Sequence, residues 1–478
     1  MHDAPPPPPP PAEPTQPADA DTTPPSALPR RAITTMGFVQ VVSIVLLVIW
    51  AYWWTYSLMK GRLPTPPRLS FHVWPSLGVD FSGSYLAVRH FLNGGNPYVE
   101  EFGDFRGTYA YPPAALAFHL WTYLVPFGAA IAIWCAYIAT VATIGAHVAL
   151  RIRRALKLER VPYAFALIAV LGSTPVVFAM ERGNCDALVL MLILLMIPAL
   201  RRTGWLSDAT LGFLAGLAAW VKIYPGLLVF AFIFLRRSRA TAFGVLAMIL
   251  IAVIPLPATR WFFHNTTTAQ HDRSAPLTEI VEWLRSPTFD QADIRDGDEI
   301  QAFGHSLTTY WRATFTSTRL ATVPGALAAA VILFSAGLWV SLKVYRCPHR
   351  SRIAYPYLLW VATVGTFFMP FSFDYNLIYL PILALAVWSA RDSMYVHLLW
   401  GPVLFLFWHP LYLPVAPFVL FLVKLMALAA VSLSLAARVD ELCGTQASPI
   451  PPDLSAAPGA SRPNPVVLLA RSFAAINP

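Results

Sequence analysis

Apolar runs separated by short polar interruptions fill the chain from Phe38 to Ala437. Several of them, Phe38 to Leu58 and Phe127 to Leu150 included, reach the roughly 20 residues that a helix needs to cross a hydrocarbon core of about 30 Å. The pattern predicts an all-α polytopic membrane protein with about twelve transmembrane helices, or thirteen if residues 112–126 also cross. The choice arises because Tyr111 to Arg151 holds apolar residues for nearly two crossings while the signs of the flanking loops demand an odd number. We read "YPPAALAFHLWTYLVP" as a short re-entrant or juxtamembrane helix and Phe127 to Leu150 as the crossing.

The ends read differently. Proline dominates "MHDAPPPPPPPAEPTQPADADTTPPSALPRR", so residues 1–35 are expected to be a disordered cytoplasmic arm, and 438–478, with "SPIPPDLSAAPGASRPNP", a disordered cytoplasmic tail. The transmembrane domain then spans 36–437, with a first outer loop at 59–111 and a long one at 258–322. The run Phe38 to Leu58 is too long for a signal peptide and lacks a small-residue cleavage site, so it is expected to stay as the first crossing.

Composition agrees with the pattern: 56% of residues are hydrophobic, 12% are charged and mean hydropathy is +0.55. The net charge of +9 would fit nucleic acid, but the basic residues stand in short clusters between apolar runs, at 151–160, 201–202, 236–239 and 343–352. Cytoplasmic loops of membrane proteins have this form, so charge reports topology and no nucleic-acid partner is expected. Cys135, Cys185, Cys347 and Cys443 stand singly without metal-like spacing, predicting no disulfide and no structural metal; no cofactor and no metal ligand are expected elsewhere in the chain. The acidic run Asp290, Asp293, Asp296, Asp298 and Glu299 lacks the calcium-loop pattern and reads as a solvated loop able to serve as a lid.

Most remaining polar residues fall on the outer side. Between Arg202 and Arg236 the chain must go out and return on arms of only about 14 to 16 residues, so the tip should lie sunk below the surface. Lys222 stands at that tip before the helix-breaking Pro225. At such depth a lysine either meets an anion or snorkels to the headgroups. In "DFSGSYLAVRHFLNGG", apolar positions recur at roughly helical spacing, predicting an amphipathic helix along the interface that ends at "GGNPY". Asp80 at its start is either a helix-capping carboxylate or a catalytic one.

The ordered segments "VDFSGSYLAVRHFLNGGNPY", "YAYPPAAL", "ERGNCDALVL", "GLAAWVKIYPGLL", "FGHSLTTYWR" and "FSFDYN" resemble glycosyltransferase family 87. The family more often carries Gly-Gln-x-Asn where this chain has "GNCD", and Asn-Gln-Ser-Leu where it has "GHSL". The resemblance implies a GT-C fold and transfer of a sugar, with mannose favoured, from a polyprenyl-phosphate donor to an envelope glycolipid or glycan. The site then faces the outer side of the bacterial inner membrane. It also implies Asp80 as the base. Lys222, Arg182, Arg312 and His305 become candidates for the donor phosphate, and Tyr85, Arg89, Tyr109, Tyr111, Asn184 and Asp374 for sugar or acceptor. For several of these a plainer reading stands beside the functional one: Tyr109 and Tyr111 as an interfacial aromatic belt, Asp374 as a helix cap, His305 as a loop bystander. Two other functions fit a polytopic chain with charges at depth: a flippase of lipid-linked saccharides, and a non-catalytic subunit of an envelope-assembly complex.

Overall fold

A computed structural model describes residues 78–97, 109, 111–253, 319–368, 374–408 and 417–444. The proline-rich arm, the first expected crossing, the acidic run, His305 and Arg312 all lie outside the described residues, as does the chain beyond Gly444. Among the described residues the protein is all-α: fourteen α-helices and no strand.

Helix α1 (Val79–Leu92) ends at Asn93, whose N–H returns to Arg89 O, and Gly94 follows with φ 92°. Its sequence is that of the expected amphipathic segment, but it does not lie free along an interface. Phe81, Ser84, Tyr85, Ala87 and Val88 are all buried, because Phe81 packs among Trp121, Phe127 and Trp134. Helix α2 (Pro113–His119) is followed by a 3-10 turn (Leu120–Leu124) and a bend at Pro126. At 1.5 Å per residue its seven residues rise only about 10 Å, so a short helix separate from α3 stands within 112–126.

After the bend, α3 (Phe127–Ala155) is a single helix of 29 residues. Helices α4 (Tyr163–Leu171) and α5 (Thr174–Arg182) meet at a 52° bend. Helix α6 (Asp186–Leu200) returns, and α7 (Trp205–Val221) comes back to a break at Lys222, which is extended with φ −147° and ψ 154°. A 3-10 turn (Tyr224–Gly226) leads to α8 (Leu227–Phe234) and then α9 (Ser238–Val253). The expected broken hairpin is therefore present. Helices α7 and α9 approach closely because Gly212 has no side chain: a Cβ there would stand 2.5 Å from Ala240 O and from Gly244 N.

The C-terminal half contains α10 (Arg319–Arg346), α11 (Arg350–Phe367), a 3-10 turn (Asp374–Ile378), α12 (Tyr379–Val387), α13 (Met394–Trp408) and α14 (Pro417–Gly444). Two expected boundaries move. Helix α10 begins inside the stretch read as outer loop, and α14 continues past Ala437 because Arg438 is buried in an ion pair with Asp392 and a 3.1 Å pair with Glu441.

The basic loops gather at one end. Arg236 donates to Tyr345 O at 3.1 Å, Arg350 to Leu235 O at 3.0 Å, and Arg237 to Arg202 O. Arg153, at the same end, reaches Trp388 O at 2.6 Å. Among the described residues one helix, Phe127–Ala155, is long and apolar enough to cross a membrane, or two spans if the bent pair α4–α5 counts as one.

Candidate active site

The turn "RGNCD" between α5 and α6 builds the other end. Gly183 adopts φ 68°, and a Cβ there would stand 2.5 Å from the Cβ of Phe81, so only glycine lets α5 stop and α1 dock at this point. The docking is fastened by Gly78 N donating to Glu181 O at 2.7 Å and by the indole N–H of Trp134 donating to Gly183 O at 2.9 Å. The first turn of α1 thereby faces the last residue of α5 and the first of α6.

Asp80 lies in that first turn, and the N-terminus of α1 has no side-chain cap. The carboxylate is used elsewhere. Its Oδ1 accepts from Arg182 Nη2 at 2.6 Å and Nε at 3.0 Å, and its Oδ2 accepts from Asn184 Nδ2 at 3.2 Å. The pair keeps slight exposure, 13% for Asp80 and 12% for Arg182.

Asn184 links this pair to a second. Its Oδ1 accepts from Lys222 Nζ at 3.1 Å and from the backbone N–H of Asp186 at 2.9 Å. Lys222 donates to Asp186 Oδ2 at 2.6 Å, so its close anionic neighbour in this structure is a protein carboxylate. Asp186 is fully buried and also accepts from Tyr224, Tyr379 and Asn376. The ring of Tyr111 stands 5.6 Å from Lys222 Nζ, within cation–π range, and its hydroxyl accepts from Asn184 at 3.4 Å. Two carboxylates and two cations thus alternate through one asparagine, from a slightly exposed mouth at Asp80 and Arg182 to a buried floor at Asp186. Charges at such depth are retained only with partners, and each of these has one.

The structure therefore brings together Asp80, Arg182, Asn184, Lys222 and Tyr111. Tyr109 is buried behind Tyr111, ring against ring at 5.6 Å. Tyr85 and Arg89 are turned away: the Tyr85 hydroxyl and the Arg89 guanidinium both donate to Val125 O at 3.3 Å, and Arg89 stacks on the Tyr85 ring. They fasten α1 to the bend before α3. Asp374 opens the 3-10 turn of which Asn376 is a part, and it is Asn376 whose amide reaches Asp186.

Sequence reading missed Asp186, Tyr224, Asn376 and Tyr379. The signal for Asp186 was available: it heads a helix otherwise composed of apolar residues, the same logic that singled out Lys222. Among the described residues no group of three or more His, Cys, Asp and Glu side chains is arranged to hold a metal ion.

The profile of glycosyltransferase family 87 matches residues 109–370. No curated protein and no solved structure matches the chain. The matched span takes in Tyr111, Arg182, Asn184, Asp186 and Lys222, and begins after α1 and Asp80. Covering more than half of the sequence, the match establishes that the chain belongs to glycosyltransferase family 87 and is a glycosyltransferase.

Proposed function

We propose that the protein is an integral membrane hexosyltransferase of GT-C type that moves a sugar, mannose first, from a polyprenyl-phosphate donor to an envelope glycolipid or glycan. The reaction takes place on the outer face of the inner membrane with Asp80 as base. The observation that carries this reading is the Asp80 carboxylate, slightly exposed and held by Arg182 and Asn184 beside Lys222.

In the proposed step the acceptor hydroxyl oxygen bonds to the anomeric carbon and its proton passes to Asp80. The bond from the anomeric carbon to the phosphate oxygen breaks, and its electron pair leaves with polyprenyl phosphate. Negative charge lost at Asp80 reappears on the leaving phosphate. A cation set lying between the two sites stabilises that displaced charge without net change in the site, which is the part given to Arg182 and Lys222. Arg312 and His305 join them in this reading, and Tyr111 and Asp374 belong to sugar or acceptor recognition, while the buried Tyr109 and Asn184 support Tyr111 and Asp80 from behind.

Membrane embedding is supported by the outward-facing apolar side chains. Ile144, Leu195, Phe213, Phe230, Ile249 and Phe334 are all exposed, and an apolar surface spread over so many helices requires a covering that water does not supply. The short, bent helices of the site end fit a pocket at membrane depth, where irregular backbone is tolerated if it lines a cavity.

The test offers the purified protein, in lipid, a labelled polyprenyl-phosphate mannose beside a nucleotide-activated mannose. Incorporation into envelope lipid from the first and none from the second is the expected result. Transfer from the nucleotide sugar overturns the donor class. Transfer from polyprenyl-phosphate arabinose alone overturns the choice of sugar. Movement of intact lipid-linked saccharide across the membrane without bond exchange favours the flippase reading.

A further inference from the structure

Asp186 touches no solvent, so it is not a group that meets a substrate, yet it receives four side-chain donors. A single structural hydrogen bond at a helix start needs none of this arrangement, which places a full negative charge beneath the lysine of the site. The consequence runs upward through Asn184. Its side-chain oxygen accepts at once from Lys222 Nζ and from the Asp186 backbone N–H. Turning the amide over would set its NH2 against an ammonium and an amide N–H, donor against donor. The amide is therefore locked with Nδ2 outward, where it donates to Asp80 Oδ2. Asp186, Lys222, Asn184 and Asp80 form one chain of bonds in which each member sets the next.

We propose that Asp186 is a positioning residue of sugar transfer: it holds the Lys222 ammonium against Asn184 and so fixes both the phosphate-binding cation and the orientation of the Asp80 carboxylate. This inference rests on the donor reading given above. The pairs Asp186–Tyr224 and Asp186–Tyr379 serve the same end, since they seat the carboxylate from the far side and keep it aimed at Lys222.

The test uses the full chain in lipid vesicles. Steady-state rates give KM for donor and acceptor separately, and a titration gives the affinity for polyprenyl phosphate alone. In Asp186→Asn the donor KM rises about tenfold or more and the acceptor KM changes less than about twofold, the scale set by one charged hydrogen bond. In a Lys222→Met background the same Asp186→Asn change alters polyprenyl-phosphate affinity by less than about twofold, because a residue acting through Lys222 has nothing left to act on. Melting is followed for every variant. If Asp186→Asn fails to fold, Asp186→Leu with Lys222→Met replaces the pair by apolar groups, and it is expected to fold and to bind polyprenyl phosphate as weakly as Lys222→Met alone.

Equal losses from Asp186→Asn in both backgrounds, an unchanged donor KM in that variant, or a paired apolar variant that binds as wild type does would each overturn the inference while leaving the donor reading intact. A wild-type protein that neither transfers from nor binds polyprenyl phosphate overturns the donor reading and this inference with it.

Discussion

Arg182 places two N–H groups, Nε and Nη2, on one oxygen of Asp80. A lysine carries the same charge but offers a single flexible nitrogen with no planar fork. Arg182→Lys is therefore expected to lower kcat/KM by about ten- to a hundredfold, one to two charged hydrogen bonds, while moving the melting temperature little. A fall in melting temperature matching the loss of activity would contradict a role in the reaction. The residue scale also shows what sequence could and could not supply. Asp80 and Lys222 were legible because ionisable groups bounded by apolar runs need a reason to be there. Tyr85 and Arg89 were grouped with Asp80 by nearness in sequence. Arg89 lies nine residues on, which at 100° per residue is about 180° around the helix, and its side chain meets Val125 instead. Asn376, whose amide reaches Asp186, was passed over because nothing in the string of "FSFDYN" marks it as a member of the site.

At the scale of elements, the site is assembled from helix ends: the starts of α1, α6 and α12, the finish of α5, and the break after α7. Two features make those ends meet. The break at Lys222 was readable from Pro225 and from arms too short to span a bilayer. The close approach of α7 to α9 was not, because glycines within apolar helices have many uses and only the partner helix reveals this one. Gly212→Val inserts a side chain whose Cβ alone would lie 2.5 Å from backbone atoms of α9. It is expected to destabilise the protein by about 1 to 3 kcal/mol, as overpacking does, and to move Lys222 with α7. Gly128→Ala in α3, where a Cβ meets nothing within 4 Å, is the control and should melt at or slightly above wild type. A thermal denaturation series reads both, and equal midpoints for Gly212→Val and wild type would contradict the close packing. The paths of α1 and α14 were legible as segments but not in their surroundings: the burial of Arg438 depends on Asp392, 46 residues earlier.

Across the whole molecule, polar chemistry divides between two ends. Opposite the site, Arg153 binds the carbonyls of Leu385 and Trp388 and, together with Ser389, holds Glu159 in the loop after α3. Burial alone would raise the Glu159 carboxyl, but hydrogen bonds from backbone amides and Ser389, with the charge of Arg153, outweigh it and hold it below the usual range. A carboxyl lowered on folding stabilises the protein above its unfolded value, about 4.3, and that contribution is lost as pH falls through the folded value. The melting difference between wild type and Glu159→Gln should therefore be constant from neutral pH to about 5 and close below about 4. Widening on acidification would contradict the assignment. The gathering of basic loops at this end was legible, since charge clusters at loop positions survive folding as loop contacts. The bend at the α4–α5 junction was not, because it divides a run that the string presents as continuous.

The proposed transfer of the acceptor proton to Asp80 is tested by a single-turnover reaction of wild type and Asp80→Asn, each saturated with labelled polyprenyl-phosphate sugar in lipid. The amide keeps the size of the carboxylate and removes its capacity to accept a proton at neutral pH. Asp80→Asn is expected to bind donor and melt near wild type but to transfer at least about a hundredfold more slowly, as loss of a general base requires. Transfer by Asp80→Asn within a few-fold of wild type would contradict it.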